Sequence, residues 1–269
     1  MDPVLEIDGL WQSFRPKTWN GGRRRRRALT WALRDIDLVV APGEMIGVVG
    51  SNGSGKSTLL RTVAGVYRPE RGQVLVRGRV SSLLDLETGL NRDLTARENL
   101  LIGGVLLGLS RADMRQRYDR IVAFSGLDEA ALRQPLSAFS SGMELRLTFS
   151  VVLSSDPSVL LVDEVLAVGD EAFRVQCARQ LEEMRASGCG VVLVSHDLDL
   201  VATHCDRVVV LDHGSVAFTG TPAAALGRYR AGGPELALEA DIVPLPVAEL
   251  AEPPGTGTDG ANGRRFPVT

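Results

Sequence analysis

The sequence predicts an α/β fold with a parallel-sheet core, and three observations carry that expectation. The apolar run Met45-Ile46-Gly47-Val48-Val49 leads into a glycine-rich loop, which opens into the helical stretch Thr58 to Ala64, so the order is strand, loop, helix. Two further runs, Val159 to Val162 and Gly190 to Val194, are apolar almost throughout, as strands buried on both faces of a parallel sheet are. A helical stretch from Glu171 to Ala186 lies between them, and strand, helix and strand imply a right-handed crossover within one parallel sheet.

The other elements follow from local pattern. Val4-Leu5-Glu6-Ile7-Asp8 and Leu33 to Val40 alternate apolar and polar residues, which suits an antiparallel sheet at one edge. Gln73 to Val76 and Arg79 to Leu84 predict short strands separated by Gly78. From Thr95 to about Ser125 the period becomes helical, with Ser110 capping a charged helix that places Met114, Tyr118, Ile121 and Val122 on one face. Arg207 to Leu211 and Ser215 to Phe218 predict a hairpin about Asp212-His213-Gly214, and a helix from Pro222 to Ala231 closes the folded region. Beyond it Pro234, Pro244, Pro246, Pro253, Pro254 and Pro267 alternate with glycines, the composition of a mobile tail. There is no internal repeat.

Composition narrows the function classes. The 269 residues are enough for one large domain or two modest ones, with a substantial core. The longest uncharged apolar run, Leu100 to Leu109, is far short of the ~20 residues that span a bilayer, so a membrane role is expected to come through a partner. Asp2 and Glu6 stand where a signal peptide would carry its basic and apolar regions, which implies the cytosol. Cys177, Cys189 and Cys205 have no metal-ligand spacing and read as buried thiols. A formal net charge of −3 gives no reason to expect nucleic acid as a partner. Arg23 to Arg27, five arginines in a row, are either a solvated loop or a basic patch facing anionic lipid headgroups.

Gly50-Ser51-Asn52-Gly53-Ser54-Gly55-Lys56-Ser57-Thr58 fills every fixed position of the phosphate-binding loop pattern, between the strand and the helix that the pattern requires. Glycines at these positions let the backbone turn tightly and approach a polyanion, so that successive N–H groups and the positive end of the helix face the β-phosphate. Lys56 adds a mobile charge for the β- and γ-phosphates, and the Ser57 hydroxyl is placed to ligate Mg²⁺. A nucleoside triphosphate is the expected ligand.

Four more features occur in a fixed order: Phe139-Ser140-Ser141-Gly142-Met143 before an apolar helix, Asp163-Glu164 at a strand end, Asp170 in a tight loop, and Ser195-His196-Asp197 after the next strand. With them the chain resembles the ATP-binding cassette (ABC) family over roughly residues 4 to 230. The resemblance implies a phosphate-loop cassette at 1–231, with a RecA-like parallel core, an antiparallel β subdomain and an α-helical subdomain at about 93–156, followed by the tail at 232–269. It implies ATP and Mg²⁺ as ligands, with Asp163 holding the Mg²⁺ water shell, Glu164 polarising the attacking water and His196 contacting the γ-phosphate. Ser140, Ser141 and Gly142 match the signature loop, which in this family closes on nucleotide bound by a second cassette, so the resemblance implies a dimer around two ATP molecules. Ser141 replaces a glycine of that loop, and Met143 stands where a glutamine is common. The family's glutamine loop falls near Leu84 to Leu90, where Asp85 or Glu87 takes the glutamine's place. Either Phe14 or Trp31 is the aromatic residue expected to stack on adenine.

Asp163-Glu164-Val165-Leu166-Ala167-Val168-Gly169-Asp170, followed by Phe173, is similar to the branch that exports O-antigen, capsule, teichoic acid and related cell-wall glycans. Ser81 to Leu86 and Asp93 to Asn99 agree with that branch. It implies a separate multi-spanning permease subunit, a lipid-linked glycan handled by the complex, and a place at the cytoplasmic face of the membrane. The rival expectation is an ABC ATPase acting on ribosomes or DNA, but such chains carry two cassettes or a long coiled-coil insertion. The tail has no run of short alternating strands of the kind a β-sandwich sugar-binding domain would show.

Overall fold

The computed structural model describes residues 2–14, 30–83, 89–163, 170–231 and 263–265. Glu164, Asp85, Glu87 and Arg23 to Arg27 lie outside them. The described strands form two sheets. The first is antiparallel, with β1 (Leu5–Phe14) between β2 (Thr30–Val40) and β4 (Arg71–Arg77), and β10 (Gly263–Arg265) on the outer edge of β4. The second has the order β5-β6-β7-β3-β8-β9, from β3 (Met45–Gly50), β5 (Val80–Ser82), β6 (Val159–Asp163), β7 (Gly190–Val194), β8 (Arg207–Asp212) and β9 (Ser215–Gly220). Every neighbouring pair in it is parallel except the β8–β9 hairpin.

The apolar runs of the core strands are explained by two packed faces. Met45 and Val49, Leu160 and Val162, Val191 and Leu193, and Val208 and Val210 belong to one core, shared with helices α5 (Ser141–Leu153), α6 (Glu171–Ala186), α7 (Leu198–His204) and α8 (Pro222–Arg230). Their alternates, Ile46, Val48, Val159, Leu161, Val192, Val194, Val209 and Leu211, belong to a second core shared with β1, β2, β4 and helix α1 (Lys56–Val63). Successive strand residues point to opposite faces, so a strand buried on both must be apolar at every position. The three cysteines are buried, as expected, and burial pushes each thiol up to about 12.

A helical subdomain is inserted between β5 and β6, built of α2 (Ala96–Leu106), α3 (Arg111–Ser125), the short α4 (Glu129–Leu132) and the start of α5. Ser110 caps α3, as the sequence predicts, in a reciprocal box with Asp113, and Thr95 with Glu98 does the same for α2. Hydrogen bonds from the capping hydroxyls hold the carboxyls of Glu98 and Asp113 below their ordinary values. Met114 and Ile121 are fully buried and Tyr118 and Val122 pack against the same core, which confirms the expected apolar face of α3.

Two strands exceed what alternation predicts. β1 runs on to Phe14, because a register shift between Ile7 and Leu10, where Gly9 has φ 52°, breaks the period of two in mid-strand. In the tail, Gly263–Arg265 pairs antiparallel with Arg77, Val76 and Leu75 of β4. Strand addition to an open edge uses backbone groups, and three residues carry no periodicity to read.

Asn99 fixes the segment that enters the helical subdomain. Its side chain is fully buried; Nδ2 donates to the carbonyls of Asn91, Leu94 and Thr95 at 2.8, 3.1 and 3.0 Å, and Oδ1 accepts from the Asn91 N–H at 2.8 Å. A leucine of similar volume would leave the Asn91 N–H without its acceptor and strip the three carbonyls of their second hydrogen bond, each keeping one from a backbone N–H. Asn99→Leu is expected to cost roughly 2–4 kcal/mol, read as a lowered urea midpoint, and an unchanged midpoint would contradict this role.

Candidate functional site

The phosphate loop is formed where backbones meet with no room for side chains. A methyl group on Gly50 would lie 2.3 Å from the Leu211 carbonyl oxygen, and one on Gly55 would lie 2.6 Å from the Ala32 carbonyl oxygen and 2.9 Å from Leu33 Cδ2. Gly55 also has φ 110°, open to glycine and strained for other residues. Lys56 is almost wholly buried, and its Nζ donates to the carbonyls of Gly50 and Ser51 at 2.7 and 3.0 Å. The ammonium is thereby held across the mouth of the loop.

The start of α1 is suited to an anion. The longer helices α2, α3, α5 and α6 each receive a side-chain cap, from Thr95, Ser110, Ser140 and Asp170. Helix α1 has no side-chain cap and no acidic residue in its first turn. Its positive dipole end therefore faces the loop with no side-chain cap and no acidic residue to neutralise it, a setting that suits an anion. Ser57 and Thr58 lie in that turn, Ser57 exposed; Ser51, Asn52 and Gly53 are exposed on the loop. Ser54 is buried within it, and its Oγ has no hydrogen-bond partner.

Strand register brings the other residues to this end of the sheet. Val48 of β3 pairs with Val194 of β7, and Val194 pairs with Asp163 of β6, so the three form one row across parallel strands. Adjacent strands are about 4.8 Å apart. The segments leaving that row are Ser51 to Gly55 from β3, and Ser195, His196 and Asp197 from β7. His196 is exposed, and Asp197 caps α7 by accepting from the N–H groups of Asp199 and Leu200, both at 3.0 Å. The carboxyl edge of a parallel sheet is where ligands bind in open α/β folds. Ser57 and Asp163 are hard oxygen donors of the kind Mg²⁺ takes, which fits the expected ion.

Ser140, Ser141 and Gly142 lie apart from that row, at the start of α5 in the helical subdomain. Phe139 is buried and anchors the turn, while Ser140 and Ser141 are exposed; Ser140 Oγ accepts from the Met143 N–H at 3.3 Å. Asp170 caps α6, accepting from the Phe173 N–H at 2.9 Å. The aromatic candidates occupy different clusters. Phe14 packs edge-on against Tyr67 at 5.1 Å between ring centres, and Trp31 against Trp11 at 5.3 Å, with the Arg71 guanidinium over both tryptophans at 5.8 and 5.9 Å. Sequence reasoning missed Arg146, which donates to Asp170 at 2.6 Å. The available signal was that it is the one cation on the apolar helix α5.

These features define a phosphate-loop nucleotide-binding fold with an inserted helical subdomain. The ABC transporter family profile matches residues 33–167. The chain is 42% identical over 235 residues to the ABC transporter protein AbcA of Aeromonas salmonicida, covering 85% of this chain and 76% of that protein. It is 41% identical over 228 residues to the O-antigen export system ATP-binding protein RfbB of Myxococcus xanthus, covering 83% of this chain but only 52% of that longer protein. A solved ATP-binding subunit of an ABC transporter superposes with a TM-score of 0.68 at 26% identity, covering 86% of this chain and 95% of that one. The chain belongs to the ABC transporter family.

Two glycines of the site make opposite demands. Gly55→Ala places a methyl group against the Ala32 carbonyl in a strained backbone and is expected to lower stability by roughly 3 kcal/mol. On Gly142 the same group would meet, among the described residues, only Ser140 Oγ, at 4.0 Å, so Gly142→Ala should be neutral or stabilising, by up to about 1 kcal/mol. Urea titration of both variants distinguishes these outcomes.

Proposed function

We propose that the chain is the ATP-hydrolysing subunit of an exporter of lipid-linked polysaccharide, working at the cytoplasmic face of the membrane with a separate membrane-spanning permease. The observation that carries the hydrolytic part is the row Val48, Val194 and Asp163, from which the phosphate loop and the His196 segment emerge side by side. Lys56 and the N–H groups of α1 bind the β- and γ-phosphates, and His196 donates a hydrogen bond to a γ-phosphate oxygen. Glu164, next in sequence after Asp163, accepts a proton from water as the water oxygen bonds to the γ-phosphorus. The bond to the β–γ bridging oxygen breaks, and ADP and inorganic phosphate leave. Ser57 and Asp163 would hold Mg²⁺, which when bound neutralises charge on the phosphate oxygens.

Two copies complete the site in this reading. Ser140 to Gly142 present a helix N-terminus of small residues, with Ser140 and Ser141 exposed, and among the described residues only Ser140 Oγ, at 4.0 Å, would meet a methyl group on Gly142. A γ-phosphate bound by the partner copy fits there, by the chemistry that suits α1 to an anion. The resemblance to O-antigen export proteins supports the glycan assignment. No described helix is long and apolar enough to cross a membrane, so the reading requires a permease. Leu101, Val105 and Leu106 of α2 are 46, 57 and 56% exposed, an apolar stripe suited to receive it.

Glu164→Gln is expected to retain ATP binding while losing at least ~10²-fold in turnover, the scale of a lost general base. Near-normal phosphate release from this variant would sink the role given to Glu164. Lys56→Ala should weaken nucleotide binding itself, which titration with a fluorescent ATP analogue measures. Depletion of the chain in cells should trap lipid-linked glycan on the cytoplasmic side, and an unchanged glycan distribution would remove the export assignment while leaving the ATPase assignment standing.

A further inference from the structure

Arg146 occupies a setting more specific than its place in the sequence suggests. Its Nη2 donates to Asp170 Oδ2 at 2.6 Å, and its guanidinium carbon lies 4.7 Å from the centre of the Phe173 ring. On the far side Gly126 leaves room for it, since a methyl group there would come within 3.2 Å of Nη1. Phe173 is buried and packs edge-on against Phe149 of α5 at 6.1 Å and Phe124 of α3 at 5.9 Å. Asp170 divides its oxygens, Oδ1 capping α6 and Oδ2 receiving Arg146. The cation therefore joins three helices at one point.

Arg146 sits one helical turn from Gly142 on α5, and Asp170 sits seven residues after Asp163. We propose that Arg146 is a positioning residue for ATP hydrolysis, locking the Ser140–Gly142 end of α5 to the start of α6 so that both meet bound nucleotide as one body. The proposal rests on the ATPase reading of the preceding subsection. A folding role is a poor account of the pair, because the Asp170 side chain is 63% exposed and such pairs contribute little to stability. Stacking on Phe173 while bonding to a carboxylate requires a planar cation, which lysine does not supply.

The test is steady-state ATP hydrolysis by the full chain, with urea unfolding alongside, for Arg146→Met, Arg146→Lys, Asp170→Asn and the Met/Asn double variant. Asparagine at 170 keeps the helix cap and removes the charge, so it breaks the pair without unseating α6. Expected are a kcat at least about tenfold lower in both Arg146 variants, the scale of a misplaced reactive group, with KM for ATP and the urea midpoint unchanged. The double variant should be no slower than the worse single one, as for two groups acting as a unit. Parental kcat in Arg146→Met, additive losses in the double variant, or losses that track the urea midpoint would overturn the proposal. Lys56→Ala in the same assay separates the two readings. If the parent chain shows no Lys56-dependent hydrolysis, the ATPase reading fails and takes this proposal with it; if it does and Arg146→Met is unaffected, only the proposal fails.

Discussion

The structure depends on a backbone junction around the phosphate loop. The Ser54 carbonyl accepts from the Gly214 N–H at 3.0 Å, and the Gly214 carbonyl accepts from the Arg34 N–H at 2.7 Å. Loop, β8–β9 turn and β2 are thus joined through main-chain groups alone, with Gly50 pressed on Leu211 and Gly55 on Ala32. Main-chain contacts leave little slack, because no rotamer can absorb an error. The antiparallel sheet is therefore placed relative to the parallel one by the segment that makes the anion site. The shape of the loop follows from the packing of strands.

The same junction gives the two cores their division of labour. The face shared by β1, β2, β4 and α1 supports the phosphate loop from beneath, through Leu33, Leu59 and Leu60. The opposite face carries α5 and α6, and through them the helical subdomain. A second set of polar contacts secures the return of the chain from that subdomain to β6. Ser81 and Ser155 share a buried hydroxyl hydrogen bond at 2.8 Å, and Arg79 Nη1 donates to the Ser155 carbonyl at 2.8 Å. Buried hydroxyls are costly unless paired, so this pairing also fixes the register of β5 on β6. Asp163 then arrives level with Val194 as a consequence of that register.

What the sequence made legible was what obeys local rules. The glycine loop, the Ser110 cap, the apolar face of α3 and the doubly buried strands each follow from residue type and spacing, and the structure has all of them. The strand past Gly9 was hidden because a bulge reverses the parity on which alternation depends. The pairing of Arg146 with Asp170 spans 24 residues and joins two helices, and no local periodicity encodes such a contact. Phe14 and Trp31 were both plausible stacking partners for adenine, and each packs edge-on against another aromatic ring, Tyr67 or Trp11. Glu164 and Asp85 were legible only as motif positions, and both lie outside the described residues.

The glycines of the site also separate what the fold demands from what a ligand demands. At Gly55 the chain supplies the reason for glycine, since Ala32 and Leu33 already fill the space a side chain would need. At Gly142 the described residues supply none: the position is helical, a methyl group would meet only Ser140 Oγ at 4.0 Å, and an alanine would favour the helix. In the reading proposed above, a small residue there admits close approach by a second molecule. The neighbouring exposed hydroxyls of Ser140 and Ser141 and the helix N-terminus give that approach an anionic character. The two halves of the proposed site are therefore built by different constraints, one closed by its own backbone and the other left open for a second molecule.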